Sequence, residues 1–438
     1  MFKMQSNNGV VWATLGAMLL VVFARLGLEI NLPVILLLAI SIVPALLGTP
    51  SQFLAMAITF IPLATTFQYK YALVLYLIIG FIRFRRLLSI SKVVPIVIVL
   101  MLWELAHHGL NGAFSFTEYL RNFAELLFLG FITSIKWDKL DFKIIARALA
   151  AATIGASLII IYIHVHSGLE NFMDMMAENA ELYRFGQNTM EEGEASYSLN
   201  FNPNQLGFIC NIAIASLLML VARKEHSVAD IVMICVLIFF GMMTLSRTFV
   251  VVAAFTFLSF MFLSPGAVKQ RAKNMLLLLV VVPILLFVVF EYAPSIIEGF
   301  NARNDTNDIT NGRSFLMEFY HNHIFSSFKN CFWGIGLQGY GDKIRGLYGA
   351  NLLSCHNGVQ EVWVVWGLIG LLVFALMILN MISTSRRWSG NRAFFAFIPL
   401  CALLFSSMAG QLASSGTMLL SLSLVYIVMC LKWDKTPN

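Results

Sequence analysis

Three side chains in short polar segments of this sequence have the chemistry of a group-transfer site. Arg247 lies in the segment Thr-Leu-Ser-Arg-Thr, Arg313 lies in Asn-Gly-Arg-Ser, and His356 directly precedes Asn357. A planar guanidinium group binds phosphate or pyrophosphate through paired hydrogen bonds. An imidazole, with an ordinary pKa near ~6.5, accepts a proton from a hydroxyl group at neutral pH. Together these residues fit a site that binds a pyrophosphate and activates a hydroxyl nucleophile.

Each of these residues also has a simpler structural explanation. An arginine at the end of an apolar helix can extend its head group to the membrane interface, which would account for Arg247. Arg313 can be a solvated loop charge, and His356 with Asn357 can form the polar cap of a following helix. The residues alone leave both interpretations open.

Two asparagines flank a proline in the segment Phe-Asn-Pro-Asn-Gln. Asn202 before Pro203 has the pattern of a helix N-cap followed by proline at the first helical position. A glycan-binding asparagine would have the same appearance. Asn202, Asn204, Asn357 and Arg303 are therefore candidate substrate-binding residues.

No pattern in the sequence indicates a metal ion or an organic cofactor. His107 and His108 lie near glutamates, but their spacing is not specific for a metal. His321 and His323 are two residues apart, so on a helix they point in different directions. The sequence predicts neither a metal nor a cofactor.

Two further pairs of residues have consequences for structure. Glu125 follows Arg121 by four residues, which predicts an ion pair within one helix. Cys331 and Cys355 share one long polar segment, and the sequence leaves open whether they form a disulfide.

The composition fixes the kind of element that must position these residues. Of 438 residues, 59% are hydrophobic and only 12% are charged, about half the ~25% of an ordinary soluble protein. Several apolar runs approach or exceed ~18 residues, the length of a membrane span. They are apolar on every face, whereas a transmembrane β-barrel needs alternating polarity. The sequence predicts an all-α, polytopic integral membrane protein.

Apolar runs separated by polar residues predict twelve to fourteen transmembrane helices. The predicted spans lie near residues 10–25, 31–48, 52–67, 70–83, 93–108, 119–135, 144–165, 204–222, 228–246, 248–263, 274–291, 360–382, 392–409 and 413–431. The first is interpreted as an uncleaved helix because no small-residue cleavage site follows it.

The distribution of basic residues predicts the orientation of these spans. With a cytoplasmic N-terminus, most of the 29 Lys and Arg residues fall in cytoplasmic loops, as the positive-inside rule requires. The net charge of +6 therefore reflects membrane topology rather than nucleic-acid binding. Both termini are expected in the cytoplasm, with the two longest polar segments, 166–203 and 292–359, on the outer face.

The second outer segment carries the most organisation. Residues 312–328 are expected to form a helix on the membrane surface, with Phe315, Phe319, Ile324 and Phe328 on its apolar side. A glycine-rich turn follows and allows tight folding and close approach to a ligand. The chain divides into N-terminal helices, an outer loop, central helices, a large outer loop, and C-terminal helices with a cytoplasmic tail, at residues 1–165, 166–203, 204–291, 292–359 and 360–438.

The ordered set of motifs resembles the O-antigen ligase and polymerase superfamily. The resemblance runs from about residue 200 to residue 372 and contains the Asn-Pro-Asn opening of a span, the Ser-Arg turn at Arg247 and Gly-Arg at Arg313. Phe-Trp-Gly-Ile-Gly, His356-Asn357, Gln-Glu and Trp-Gly-Leu-Ile-Gly follow in that order. The family commonly has a tryptophan after the loop arginine, and this chain has none at residues 315–319.

The resemblance implies a function and roles for individual residues. Arg247 and Arg313 would hold the pyrophosphate of an undecaprenyl-linked oligosaccharide, and His356 would activate the acceptor hydroxyl. The reaction would be a metal-independent glycosyl transfer on the outer face of the bacterial cytoplasmic membrane. The partners would be this lipid-linked donor, the bilayer and, for a polymerase, a chain-length regulator.

Three functions remain after the resemblance is taken into account. A polysaccharide polymerase is favoured because that group is broad, and an O-antigen ligase that transfers the glycan to lipid A core is the alternative. A lipid-linked glycan transporter is less favoured, since a transporter needs a polar path near the bilayer midplane and the candidate residues lie at span ends.

Overall fold

The computed structural model describes most of the chain as α-helix. It describes residues 8–111, 115–136, 140–166, 185–186, 203–263, 276, 294–304, 313–338, 340, 343–344, 346, 355–389, 398–408 and 410–431. Over these residues there are sixteen α-helices, one short 3₁₀ helix at Arg85–Leu87 and no β-strand. The fold is all-α, as the sequence predicts.

Seven helices precede the first long polar segment. They are α1 Gly9–Leu26, α2 Ile35–Leu47, α3 Pro50–Leu63, α4 Tyr69–Phe84, α5 Val93–Asn111, α6 Phe116–Thr133 and α7 Phe142–His166.

Nine further helices follow in the described part of the chain. They are α8 Pro203–Ala222, α9 Val228–Met243, α10 Arg247–Leu263, α11 Pro294–Asn304, α12 Arg313–Phe325, α13 Phe328–Phe332, α14 Gly358–Ser389, α15 Ile398–Ser407 and α16 Gly416–Met429.

The helices confirm a polytopic membrane protein. Each predicted span corresponds to one helix, except the span near 274–291, which apart from Leu276 lies outside the described residues. Within the described ranges, α1, α7, α8 and α14 are long and apolar enough to cross a membrane, and seven shorter apolar helices accompany them. The orientation of the termini stays a prediction.

Three helices form the centre of the bundle. Every residue of α3 after Pro50 and every residue of α16 after Gly416 is buried, and α8 is buried from Leu206 onwards. These helices contact one another, while α7 packs along both α3 and α8 and α6 packs along α16. A helix that is apolar on all sides is stable only where other helices or lipid surround it. The bundle therefore has a fixed core against which polar helix ends can be positioned.

The helix α14 is interrupted, and the glycine-rich turn occupies the interruption. Gly367 has φ 68° and ψ −178°, so the carbonyl groups before it do not complete the helical ladder. Ile335 N–H donates to Val364 O at 3.0 Å, and Gly336 N–H donates to Val365 O at 2.7 Å. The turn is thus used for backbone packing, because only glycine permits this approach.

A buried glutamate holds the end of the same segment. Both carboxyl oxygens of Glu104 accept from Leu337 N–H at 2.9 Å, and one also accepts from Gln338 N–H at 3.0 Å. The other oxygen accepts from the indole N–H of Trp366 at 2.9 Å. His107, one helical turn further along α5, has its two ring nitrogens 2.8 Å from the carbonyl oxygens of Trp103 and Trp333. Residues 333–338 are therefore fixed to α5.

The predicted apolar side of the helix at residues 312–328 is only partly right. The helix spans Arg313–Phe325 and buries Ile324, as predicted, together with Leu316 and Tyr320, whereas Phe319 is half-buried and Phe315 and Phe328 are 62% and 78% exposed. Leu316, Tyr320 and Ile324 recur at four-residue spacing, and the helix packs against α14. The phenylalanines are larger and bias a prediction from hydrophobicity, but the stripe that meets the neighbouring helix determines burial.

The predicted ion pair between Arg121 and Glu125 is also wrong. Glu125 is fully buried, with its carboxyl group 3.4 Å from Lys70 Nζ and hydrogen bonded to the hydroxyl of Tyr69. Arg121 is exposed instead. The helices α4 and α6 pack together, so the buried carboxyl group pairs across helices, where it is shielded from water.

The cysteines are free thiols. Cys331 and Cys355 are not joined, and Cys355 is buried with Sγ 3.4 Å from the carbonyl oxygen of Asn357. Burial raises the pKa of the Cys355 thiol to about 12. Since the thiolate is the reactive form, Cys355 is a structural residue.

Candidate active site

The N-terminal ends of four helices converge on one cleft. The ends of α8, α10, α14 and α16 border an open cleft together with the end of α15 and the segment that follows it. The lining residues carry mainly amide, hydroxyl and imidazole groups: Asn204, Gln205, Thr248, His356, Ser406, Gly410, Gln411, Ser415 and Met418.

The first wall is formed by the start of α8 and the start of α10. Pro203 occupies the first position of α8, where its missing N–H costs nothing. Asn204 follows, and its side-chain oxygen accepts from Ser246 Oγ at 2.9 Å. Ser246 also caps α10, since its Oγ accepts from Phe249 N–H at 3.3 Å. One serine therefore fixes Asn204 and the start of α10 together.

The turn before Arg247 has a strained backbone. Leu245 is fully buried and has φ 50°, a left-handed conformation that is uncommon for residues other than glycine. Such strain persists only where surrounding contacts impose it, and it concentrates at functional sites. The turn places the half-buried Arg247 at the first position of α10, between Ser246 and the cleft residue Thr248.

The second wall carries His356. Asn357 caps α14, because its side-chain oxygen accepts from the backbone N–H groups of Val359 and Gln360, both at 3.1 Å. The carbonyl group of Asn357 accepts from Glu361 N–H at 2.8 Å. This cap fixes the backbone next to His356, which is half-buried and lines the cleft.

The third wall is a non-helical segment that precedes α16. Glu361, fully buried in the first turn of α14, accepts from the backbone N–H groups of Leu412 at 2.5 Å, Ala413 at 2.8 Å and Ser414 at 3.4 Å. It also accepts from the hydroxyl of Ser414. The carboxyl group of Glu361 thus connects the start of α14, next to His356, with the segment that contains Gln411 and Ser415.

A hydrogen-bonded chain connects the first wall to the third. Gln205 Nε2 donates to Thr417 Oγ1 at 2.8 Å, and Thr417 Oγ1 lies 3.1 Å from Ser415 Oγ. Gly416 between them packs against Glu125, since a Cβ there would overlap that carboxyl group. A carboxyl group at a helix N-terminus complements the helix dipole. This carboxyl group lies directly behind the cleft wall.

The surface helix approaches the site through α14. Gln360 Nε2 donates to Met317 O of α12 at 2.7 Å, and the buried hydroxyl of Tyr340 accepts from Cys355 N–H at 3.1 Å. Burial raises the pKa of Tyr340 above its ordinary value, so this phenol stays neutral. The two contacts fix the outer loop next to His356.

The structure brings together only part of the predicted site. His356 and Asn204 line one cleft and Arg247 adjoins it, while Asn357 acts as the helix cap. Arg313 begins α12 and Arg303 lies in α11, but their side chains, like all of Asn202, lie outside the described residues. Their roles stay predictions.

Several cleft residues escaped prediction from the sequence. Gln205 directly follows the predicted Asn204, and Gln411 lies between two predicted spans. Ser406 and Ser415 belong to apolar C-terminal spans, in which serine commonly supports helix packing. The sequence predicted a span at residues 413–431, whereas α16 has fourteen residues and is about 21 Å long, shorter than the ~30 Å hydrocarbon core.

The lining groups can bind a polyhydroxylated ligand. Amides and hydroxyls donate and accept hydrogen bonds in the same way as sugar hydroxyls, and His356 adds a group that can accept a proton. Among the described residues, no group of three or more His, Cys, Asp or Glu side chains has the arrangement of a metal site.

Comparison with known proteins identifies one segment of the chain. Residues 231–375 match the family model described as O-antigen ligase. This segment contains Arg247, Arg303, Arg313, His356 and Asn357, and it ends within α14. The match confirms the superfamily predicted from the sequence. No curated protein matches the chain.

Proposed function

We propose, from the premise that residues 231–375 carry an O-antigen ligase domain, that this membrane protein polymerises lipid-linked polysaccharide repeat units. It would transfer a glycan from undecaprenyl pyrophosphate to a sugar hydroxyl on the outer face of the membrane. The observation that carries the proposal is the cleft in which His356 lies with Asn204, Gln205 and Thr248, beside Arg247. In this proposal His356 is the base, the amides and hydroxyls of the cleft bind sugar, and Arg247 binds phosphate.

The reaction requires one proton acceptor and stabilisation of a leaving pyrophosphate. The acceptor hydroxyl oxygen attacks the anomeric carbon while its proton passes to the imidazole of His356. The bond between the anomeric carbon and the pyrophosphate oxygen breaks, and undecaprenyl pyrophosphate leaves with the electron pair. Arg247 and Arg313 would stabilise the developing negative charge. No step in this sequence requires a metal ion.

A ligase is the second candidate because the matched family is described by that activity. It would use the same donor and the same base but transfer the finished glycan to lipid A core or another surface acceptor. The cleft residues hydrogen bond a hydroxyl of either acceptor, so the product distinguishes the two functions.

A transporter is less favoured because the break in α14 is filled. In many transporters a break in a spanning helix opens a polar site near the midplane. In α14 the backbone of Ile335 and Gly336 occupies the break at Gly367, and the polar cleft lies at helix ends instead.

The test is a gel of surface and lipid-linked glycans from the native host with and without the gene. Loss of long chains, with single repeats still reaching the surface, supports a polymerase and makes a chain-length regulator an expected partner. Full-length polymer accumulating on undecaprenyl pyrophosphate supports the ligase. An unchanged glycan profile contradicts both.

A further inference from the structure

One buried hydroxyl group in the cleft lining has no hydrogen-bond partner among the residues that the structure describes. Serine in an apolar helix usually donates to the carbonyl group three or four residues earlier, as Ser216, Ser385, Ser407 and Ser421 do in this protein. Ser406 is 3% exposed and lines the cleft, yet its Oγ has no hydrogen-bond partner among the described residues. A buried hydroxyl left without a partner destabilises the protein, so a ligand that pairs with it gains affinity.

The groups around Ser406 are complementary to a sugar rather than to an anion. Gln205 and Gln411 lie in the same lining, and both carry an amide that donates and accepts. Gly410 also lies in the lining, where a Cβ would be 3.0 Å from Met418 Cε.

Carboxyl groups behind the lining already occupy the donors that would attract an anion. Glu361 accepts from the backbone N–H groups of Leu412, Ala413 and Ser414. Glu125 lies against Gly416 at the N-terminus of α16. A helix N-terminus ordinarily binds phosphate or carboxylate, but here a carboxyl group of the protein itself takes that place.

We propose that Ser406, Gln411 and Gln205 form a subsite for an uncharged sugar ring, the one that presents its hydroxyl group to His356. This inference rests on the proposed glycan transfer and specifies its acceptor. Ser406 and Gln411 lie after the family-matched residues 231–375, and Gln205 lies before them. Acceptor recognition is therefore assigned to parts of the chain separate from the family-matched segment that carries His356 and Arg247.

The test compares two buried serines in the purified full-length protein in lipid nanodiscs. Ser406→Ala removes the cleft hydroxyl, and Ser423→Ala is the matched control, because Ser423 Oγ is also buried without a partner but lies in α16 outside the cleft lining. The donor is the lipid-linked glycan extracted from the host. The acceptors are the host's repeat unit, released from its carrier by mild acid and fluorescently labelled, and delipidated lipopolysaccharide core.

The expected result is a change in acceptor affinity alone. Loss of one hydrogen bond of about 0.5–1.5 kcal/mol raises the acceptor KM of Ser406→Ala roughly three- to tenfold, while kcat, the donor KM and all constants of Ser423→Ala stay near wild type. Gln411→Leu is expected to act in the same direction. An unchanged acceptor KM in a folded Ser406→Ala protein that still joins glycans overturns the subsite but not the function. A wild-type protein that extends neither acceptor overturns both.

Discussion

A buried glutamate holds each of two non-helical segments of this protein, but the two segments have different roles. Glu361 accepts the backbone N–H groups of residues 412–414, and Glu104 accepts those of Leu337 and Gln338. Backbone that is not helical must find protein partners inside a membrane, and one buried carboxyl group satisfies several N–H groups at once. The first segment borders the cleft, whereas the second closes the break in α14 at Gly367. A buried glutamate stabilises each segment, but only the segment that borders the cleft is expected to affect activity.

The largest effect is expected at the cleft itself. His356→Ala should lower glycan joining by about a hundredfold or more, because a positioned general base contributes roughly 10²–10⁴-fold. The rate of joining by protein in nanodiscs measures this effect. His321→Ala is the matched control, since His321 is exposed on α12. Full activity of a correctly inserted His356→Ala protein would exclude His356 as the base.

The second prediction separates the two anchors. Glu361→Leu and Glu104→Leu each leave backbone N–H groups unsatisfied, at about 1–3 kcal/mol per buried group, so both should lower the thermal unfolding midpoint. Well below that midpoint, only Glu361→Leu should lower kcat/KM by more than about tenfold, since its segment lines the cleft.

Both the activity and the unfolding midpoint must be measured to compare Glu361→Leu with Glu104→Leu. Glu361→Gln keeps one oxygen for Leu412 and Ala413 and should recover part of the activity. If Glu104→Leu lost as much activity as Glu361→Leu at matched stability, the distinction between a site segment and a scaffold segment would be wrong.

The third prediction concerns the packing of the scaffold segment. Gly367→Ala should destabilise the protein by at least about 2 kcal/mol, because φ is +68° and a Cβ would overlap the carbonyl group of Phe332. Gly346→Ala, at a position with open space around it, should change stability little. Thermal unfolding in nanodiscs compares them, and equal midpoints would contradict the close packing at the break.

The smallest effect is a pH dependence of stability. Lys343 Nζ donates to Ile335 O at 2.7 Å, and burial lowers the pKa of Lys343, which Glu104 and Glu118 partly restore. The unfolded chain then binds more protons than the folded protein between the lowered pKa and the ordinary value near ~10.4, so this lysine makes stability rise with pH over that interval. Lys343→Met should flatten the rise in unfolding midpoint between neutral and alkaline pH. If the unfolding midpoint of Lys343→Met rose with pH as steeply as that of the wild type, Lys343 would not be the source of this pH dependence.

Local patterns in the sequence nominated His356, Arg247 and Asn204, since imidazole, guanidinium and amide groups have defined chemistry and the family motifs are ordered along the chain. The structure places His356 and Asn204 in the lining of one cleft. The predicted apolar face of α12 was right for Ile324 but wrong for Phe315 and Phe328, which are exposed, because size alone does not reveal which residues are buried. The third wall was missed because its serines resemble ordinary residues of a spanning helix.

The sequence by itself determined that this is an all-α membrane protein, since long apolar runs cannot remain in water and only helices satisfy their own backbone in lipid. It also determined the order of the motifs and the superfamily. Only the tertiary structure decided that Glu125 pairs with Lys70, that Glu361 anchors residues 412–414, and that Ser406 lies in the lining of the cleft. Each of these features brings together parts of the chain that are distant in sequence, and no local pattern records which parts become neighbours.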